Sequence, residues 1–173
     1  MSNYISKRIL SIAKPLTEDG DSNSLIIEDS KSETFWVGVH IRHGMDITMH
    51  SRNLEYGHVA PPLEYFTNAM AEMRKRHDNV AFLVCSDDID WALRNIKPQQ
   101  QGEIFFCQRN SPREIDLALL AKTDGLIISP GTYSWWAAWL SRSIEVFYYS
   151  GWPREGSSLD RQMNRSEYYS KEW

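Results

Sequence analysis

Two imidazoles and a guanidinium lie close together at His40, Arg42 and His43, and a glycine follows at Gly44. This group supplies one permanent positive charge, several N–H donors and a backbone that turns freely. Arginine is well suited to phosphate because its planar fork forms two parallel hydrogen bonds. The residue types and their spacing therefore predict a site for an anion such as a phosphate.

The residues before this group have the pattern of a strand, since Val37, Val39 and Ile41 are β-branched and alternate with other residues. Arg42 therefore follows the carboxyl end of a strand, which is where ligands bind in open α/β sheets. Other apolar runs predict four further strands, at 80–85, 103–107, 125–129 and 144–149. Capped or periodic segments between them predict helices, at about 61–76, 87–96, 112–122 and 133–141.

Strands and helices thus alternate along the chain, and connections of this length imply right-handed crossovers between parallel strands. The sequence predicts an α/β fold with a Rossmann-like parallel sheet and helices on both faces. It divides into an N-terminal helix and flexible linker (1–34), the Rossmann-like domain (35–150) and a C-terminal tail (151–173). Segment 47–60 has no clear period and is expected to be a loop.

The composition is typical of a soluble globular protein, with 42% hydrophobic and 24% charged residues among 173. A formal net charge of -4 argues against nucleic-acid binding through a basic surface. No apolar run approaches the roughly 20 residues of a membrane span. Cys85 and Cys107 each end an apolar run, and we expect buried free thiols. Three tryptophans are expected to lie mostly in the core, at 135, 136 and 139.

A second candidate for anion binding is segment 129–134 (SPGTYS), between a predicted strand and a helix N-terminus. Free N–H groups and the helix dipole favour anions there. The alternative is that Thr132 or Ser134 caps the helix, as Ser86 is expected to do after the second strand. Parallel strands bring these junctions to the same sheet edge as Arg42, which favours phosphate binding. Glycine-rich dinucleotide and P-loop motifs are absent, which argues against a dehydrogenase or a P-loop NTPase.

Two longer motifs resemble a known family. Residues 37–46 (VGVHIRHGMD) resemble the H-x-R-R-G-D signature of the α1,2-fucosyltransferases and their α1,6- and protein O-fucosyltransferase relatives. Residues 116–140 (DLALLAKTDGLIISPGTYSWWAAWL) are similar to the second signature of that family. The resemblance covers about 35–149 and implies a galactoside α1,2-fucosyltransferase, of which this chain resembles the C-terminal, GDP-fucose-binding half of a GT-B-like enzyme.

The resemblance implies that Arg42 contacts the β-phosphate and stabilises the charge on departing GDP. His40 and Asp116 would hydrogen-bond the guanine. The remaining substrate-binding residues would be His43, Gly131, Thr132 and Ser134. The implied reaction moves fucose from GDP-fucose to a galactose hydroxyl of a glycan with inversion, without a metal or other cofactor.

The family resemblance also implies a Golgi membrane location, although the chain shows no signal peptide or membrane anchor. We expect a missing N-terminal half or partner chain, which makes this chain a natural or engineered fragment of a longer enzyme, or a natural short form. The catalytic base stays open between that half and three residues of the chain, Asp46, His50 and Glu55.

Two alternatives remain. His43 stands where the signature has a second arginine, and Met45 comes before Asp46. Because an imidazole is only partly charged near neutral pH, these departures favour a non-catalytic module that binds GDP, a sugar nucleotide or a partner protein. The second alternative is a metal-dependent glycosyltransferase that uses Asp88 and Asp90, which we otherwise interpret as first-turn helix acids.

Overall fold

The computed structural model describes residues 34–141, 143 and 145–173. Five parallel strands form one sheet in the order β3-β2-β1-β4-β5. Their bounds are Phe35–Ile41 (β1), Val80–Ser86 (β2), Ile104–Phe106 (β3), Gly125–Ile128 (β4) and Glu145–Tyr148 (β5). Strand order reverses at β1, so the carboxyl end of β1 is the switch point where such sheets bind ligands. The predicted α/β fold with a Rossmann-like parallel sheet is confirmed.

Eight helices occur in this part of the chain. They are Met45–Thr48 (α1), Ser51–Tyr56 (α2), Leu63–Arg76 (α3), Ile89–Asn95 (α4), Arg113–Leu120 (α5), Thr132–Leu140 (α6), Ser158–Gln162 (α7) and Arg165–Tyr168 (α8). Among the described residues, no helix is both long and apolar enough to cross a membrane. The predicted N-terminal helix and linker lie outside the described residues, apart from Thr34.

Side chains on the central strand alternate between two apolar cores. Val37 and Val39 pack with Met73 of α3 and Ala92 of α4 on one face. Trp36 packs on the other face with a second cluster that includes residues of α5 and α6. Helices therefore cover both faces of the sheet, as the pattern of alternating elements predicts.

Gly38 of β1 lets the end of α5 approach the sheet closely. A Cβ atom at this position would lie 2.7 Å from Thr123 Oγ1 and 2.8 Å from Leu126 Cδ2. The buried Thr123 hydroxyl bonds to the carbonyl oxygens of Leu120 and Gly125, at 2.7 and 3.0 Å. This turn therefore fixes α5, which carries Asp116, against the central strand.

The loop expected at 47–60 instead contains α2 and part of α1. Ile47 is the one buried residue of α1, and α2 buries none. An apolar period cannot develop over such short, exposed helices, which is why the sequence gives no helical signal. Backbone bonds from Thr48 N to Gly44 O and from Leu54 N to His50 O, at 3.2 and 3.1 Å, begin the two turns.

The C-terminal tail packs against the sheet domain. Trp152 and Tyr169 are buried. The Tyr169 ring stacks on Tyr148 of β5 with 3.9 Å between ring centroids, and Trp135 Nε1 of α6 donates to Tyr168 O at 2.6 Å. Residues 151–173 therefore form one wall of the carboxyl edge beside β5 and α6.

The expectation of free thiols is wrong. Cys85 and Cys107 are buried, but they form a disulfide with 4.9 Å between their Cα atoms. Val84 of β2 pairs with Phe106 of β3, so the residues that follow them, Cys85 and Cys107, also lie side by side. The pairing depends on strand order and register, which single apolar runs do not reveal.

The prediction that the tryptophans of α6 lie mostly in the core is wrong. Trp136 and Trp139 are 49% and 58% exposed. The Trp135 ring contacts both, edge-on to Trp136 at 5.1 Å and stacked on Trp139 at 5.2 Å between centroids. The buried face of α6 is formed instead by small residues, Ser134, Ala137 and Ala138, because the helix lies close to the sheet and leaves no room there for an indole.

Candidate functional site

Three strand-to-helix junctions meet at the carboxyl edge of the sheet, because β1 lies between β2 and β4. Arg42 N donates to Ser129 Oγ at 3.0 Å and joins the β1 junction to that of β4. His43 N donates to Asp87 Oδ1 at 2.7 Å and joins it to that of β2. The β1 loop is therefore anchored on both sides through its backbone, and these two bonds do not use the Arg42 guanidinium.

Arg42 extends over the turn that begins α6. A Cβ atom at Gly131 would lie 2.7 Å from Arg42 Nη1, so the guanidinium rests directly on this glycine. Gly131 has φ 123° and ψ 159°, a conformation that essentially only glycine adopts. The close approach brings a permanent cation to the positive end of the α6 dipole, where both favour an anion.

Asp46 forms an ion pair with Arg42 Nη2. The hydrogen bond from Arg42 holds the pKa of Asp46 below its usual range. The Arg42 side chain keeps 30% of its surface exposed and Asp46 keeps 52%. Because the carboxylate lies on the solvent side, a phosphate can replace it on the guanidinium without disturbing the core.

No side chain caps the N-terminus of α6 within the described part of the chain. Gly131 occupies the N-cap position, and Ser134 is buried with its Oγ 2.5 Å from His40 Nδ1. Thr132 stands at the first helical position and makes no such bond. The capping alternative for Thr132 and Ser134 is therefore wrong, and first-turn N–H groups remain for a ligand.

His40 is a buried, neutral group at this edge. Burial, followed by the charge of Arg42, lowers its pKa to about 4. Its ring lies 4.8 Å from the Tyr133 ring, between centroids. With one nitrogen next to Ser134, the imidazole can offer a ligand a neutral hydrogen bond rather than a charge.

Asp116, in the first turn of α5, has an unpaired carboxylate oxygen and interacts electrostatically with Tyr133. Its Oδ1 is buried and has no hydrogen-bond partner among the described residues. Burial raises the pKa of Asp116, and a hydrogen bond with Ser111 opposes that rise. Burial and the Asp116 charge together raise the pKa of Tyr133 to about 12. A buried oxygen without a partner is rare in native proteins, so Asp116 Oδ1 is a candidate contact for a ligand.

His43 turns towards β2 rather than towards Arg42. Its ring stacks on Trp91 at 4.2 Å between centroids, and its Nδ1 lies 3.1 Å from Asp88 Oδ2. Asp88 Oδ1 also accepts a bond from Trp91 N at 3.0 Å and so caps α4. The expectation that Ser86 caps this helix is wrong, because Ser86 is the last residue of β2 and its Oγ accepts from Asp88 N at 3.0 Å.

The two acids with metal-motif spacing do not converge. Asp88 is occupied by the α4 cap and by His43, whereas Asp90 pairs with Arg109. This is the role of helix acids that the sequence favoured. Asp88 and Asp90 therefore each have a protein partner among the described residues.

The site is closed on the side of the tail by residues that are absent from the predicted site. The charge of Arg42 contributes to the lowered pKa of His58, after burial, and opposes the burial that raises the pKa of Tyr168. Trp152 Nε1 donates to His58 Nδ1 at 3.3 Å, and its ring lies 5.2 Å from that of Tyr168. The high aromatic content of the tail is the one sequence signal that points to this wall.

Comparison with known proteins shows the family of the chain. The sequence profile described as Glycosyl transferase family 11 matches residues 13–173. Galactoside 2-alpha-L-fucosyltransferase SEC1 of Bos taurus is 31% identical over 133 residues, or 71% of this chain and 33% of that protein. Galactoside alpha-(1,2)-fucosyltransferase 1 of Saimiri sciureus is 32% identical over 121 residues, or 68% and 32%. Alpha-1,2-colitosyltransferase of Escherichia coli is 31% identical over 106 residues, or 60% and 36%.

The chain spans about a third of the length of these curated relatives. No solved structure matches it. The profile covers nearly the whole chain, including the Arg42 loop and the Gly131 turn. The chain belongs to glycosyl transferase family 11.

Proposed function

We propose that this chain is the donor-binding part of a galactoside α1,2-fucosyltransferase and that its carboxyl sheet edge binds GDP-fucose. The observation that carries the proposal is the contact of Arg42 with Gly131 at the uncapped N-terminus of α6. A fixed cation and free first-turn N–H groups together suit a diphosphate. Two of the named relatives are fucosyltransferases that act on galactosides.

The second half of the donor has a matching set of partners. Asp116 Oδ1 lacks a hydrogen-bond donor, and guanine offers N–H groups along one edge. The ring of neutral His40 lies 4.8 Å from the Tyr133 ring, between centroids. The Asp116 charge in turn contributes to the raised pKa of Tyr133. With the guanine at Asp116, the diphosphate would lie against Arg42, Gly131, Thr132 and the backbone of Ser134. His43 would not contact the donor and would hold the loop through its hydrogen bond with Asp88.

The proposed chemistry is a single inverting displacement without a metal. The acceptor hydroxyl oxygen attacks the anomeric carbon of fucose from the face opposite GDP. The bond from that carbon to the phosphate oxygen breaks, GDP leaves with the electron pair, and the hydroxyl proton passes to a base. Arg42 stabilises the negative charge that develops on the leaving oxygen, and this stabilisation is greatest in the transition state.

Of the three candidate bases in the chain, Asp46 is the one that pairs with Arg42. His50 and Glu55 are both exposed, at the N-cap of α2 and on α2 itself. The acceptor, a galactose-terminated glycan, and a Golgi membrane location belong to the same proposal and rest on the family resemblance. We propose that an N-terminal half or a partner chain supplies further acceptor contacts.

A specific observation favours the non-catalytic alternative. His43, which stands at the second signature arginine, is engaged with Asp88 and Trp91 and adds no free cation beside Arg42. A donor-binding module would then hold GDP without efficient transfer.

An assay of fucose transfer from GDP-fucose to a terminal galactoside tests the proposal. Its readouts are the release of GDP and the mass of the product. We expect turnover that Arg42→Ala abolishes and that Arg76→Ala leaves intact, because Arg76 lies at the end of α3 and pairs with Glu72. GDP binding without transfer by the wild type would support the non-catalytic module. Full transfer by Arg42→Ala would refute the assignment of the site.

A further inference from the structure

Three groups that ligate metals converge at the carboxyl ends of β2 and β3. The Sγ atoms of Cys85 and Cys107 and a carboxylate oxygen of Asp116 all lie within 4.8 Å of one another. Cys85 is 1% and Cys107 3% exposed. Asp116 reaches them from the first turn of α5, across the end of the sheet. Three separate elements therefore contribute one ligand atom each to a single buried point.

The carboxylate gives an independent indication that a partner is missing. Asp116 Oδ1 is buried and has no hydrogen-bond partner among the described residues. An unpartnered polar atom destabilises the fold when it is buried, and a charged one does so more strongly. A bound cation removes this cost, because it replaces the lost hydration of the carboxylate with a direct bond.

We propose that, once its disulfide is reduced, the chain binds a thiophilic divalent cation such as Zn²⁺ through Cys85, Cys107 and Asp116. A dithiol reductant supplies two electrons and two protons, the S–S bond breaks, and two thiols form. Each coordinating thiol then releases its proton as the cation binds. The disulfide is the cation-free form of the same site.

The donor set suits zinc in particular. Thiolates select zinc and copper(I) over magnesium and calcium, and a carboxylate is a common third ligand. Zn–S bonds of about 2.3 Å and Zn–O bonds of about 2.0–2.2 Å place tetrahedral ligand atoms about 3.5–4 Å apart. Rotation of the two cysteine side chains, whose Cα atoms are 4.9 Å apart, opens the pair to that spacing. Three protein ligands leave the fourth position for water.

Cation binding at these residues is independent of the proposed transferase function, because it is measured without a nucleotide. The two are linked only through Asp116. If Asp116 also binds the guanine of the donor, Zn²⁺ and GDP compete for it, and the reduced, zinc-loaded chain binds GDP more weakly than the oxidised chain does. If the chain fails to bind GDP but binds the cation, the proposed function is refuted and the cation site is not.

Titration of the reduced, desalted chain with Co²⁺ under anaerobic conditions tests the proposal. We expect thiolate-to-cobalt charge-transfer absorption that saturates at one cation per chain, that Zn²⁺ displaces, and that the oxidised chain lacks. Metal analysis after gel filtration gives the zinc stoichiometry. Absence of the charge-transfer band in the reduced wild type would overturn the proposal.

Variants assign the ligands. C85S/C107S removes the band, and Asp116→Asn weakens binding by at least the roughly 10- to 100-fold that loss of a supporting group costs at metal sites. Asp90→Asn is the matched control, because Asp90 pairs with the exposed Arg109 instead. If the double cysteine variant does not fold, Asp116→Asn decides, since its thiolates remain. Equal affinity of Asp116→Asn and the wild type would remove Asp116 from the site.

Discussion

Replacement of Gly131 by alanine should damage both the fold and the site, because two separate constraints meet there. The backbone conformation, φ 123° and ψ 159°, is one that costs other residues about 1–3 kcal/mol. The new Cβ would also lie 2.7 Å from Arg42 Nη1, so the guanidinium must move. A charge-assisted hydrogen bond is worth about 1.5–3 kcal/mol, so losing one should weaken GDP binding about 10- to 100-fold.

Urea denaturation gives the free energy of unfolding, and calorimetry gives the dissociation constant for GDP on the folded variant. Gly156→Ala is the control, because Gly156 has φ 71° but nothing within 4 Å of the added Cβ. It should cost backbone energy alone, and GDP affinity should stay at the wild-type value. Wild-type GDP affinity in folded Gly131→Ala, or an equal loss in Gly156→Ala, would refute the reasoning.

Other predictions follow from buried groups. The native pKa of His40, about 4, lies below the unfolded value of 6.5, so acidification favours the unfolded chain. Relative to His40→Gln, the wild type should lose about 3 kcal/mol of unfolding free energy between pH 7 and 4; parallel pH profiles would contradict this. Gly38→Ala should cost about 1–3 kcal/mol in urea denaturation, because its Cβ would crowd Thr123. Arg74→Met should cost about 3–5 kcal/mol, because it leaves the buried Glu103 carboxylate without its ion-pair partner and with the Gln99 N–H bond to its other oxygen. A loss below about 1 kcal/mol would show that water reaches Glu103.

The strands were predictable because each is a short apolar run with no competing signal. Residues 80–85 read as a buried parallel strand, and the structure places β2 at Val80–Ser86. The short helices α1 and α2 were not predictable, because they bury almost nothing and are held by backbone bonds. The disulfide was missed for a different reason. It depends on which strands are neighbours, and the runs that contain Cys85 and Cys107 carry no information about order.

Part of the site was also predictable. Residue type and position after a strand indicated Arg42 and Gly131, and parallel strands had to bring them to one edge. Their direct contact could not be predicted, because it depends on the path of the Arg42 side chain over the turn. His43 shows the limit more clearly. The sequence places it in an anion-binding loop, but stacking on Trp91 and the bond to Asp88 turn its ring towards α4.

Whether Arg42 is the cation that holds a guanosine diphosphate is most directly tested by calorimetric titration of the chain with GDP. The wild type should bind GDP at one site and more tightly than UDP, since Asp116 can accept hydrogen bonds from guanine N–H groups. Arg42→Ala should weaken GDP binding about 10- to 100-fold, by loss of a charge-assisted bond, whereas Arg76→Ala should bind as the wild type does. No binding of GDP by the wild type, or equal binding by Arg42→Ala, would contradict the account.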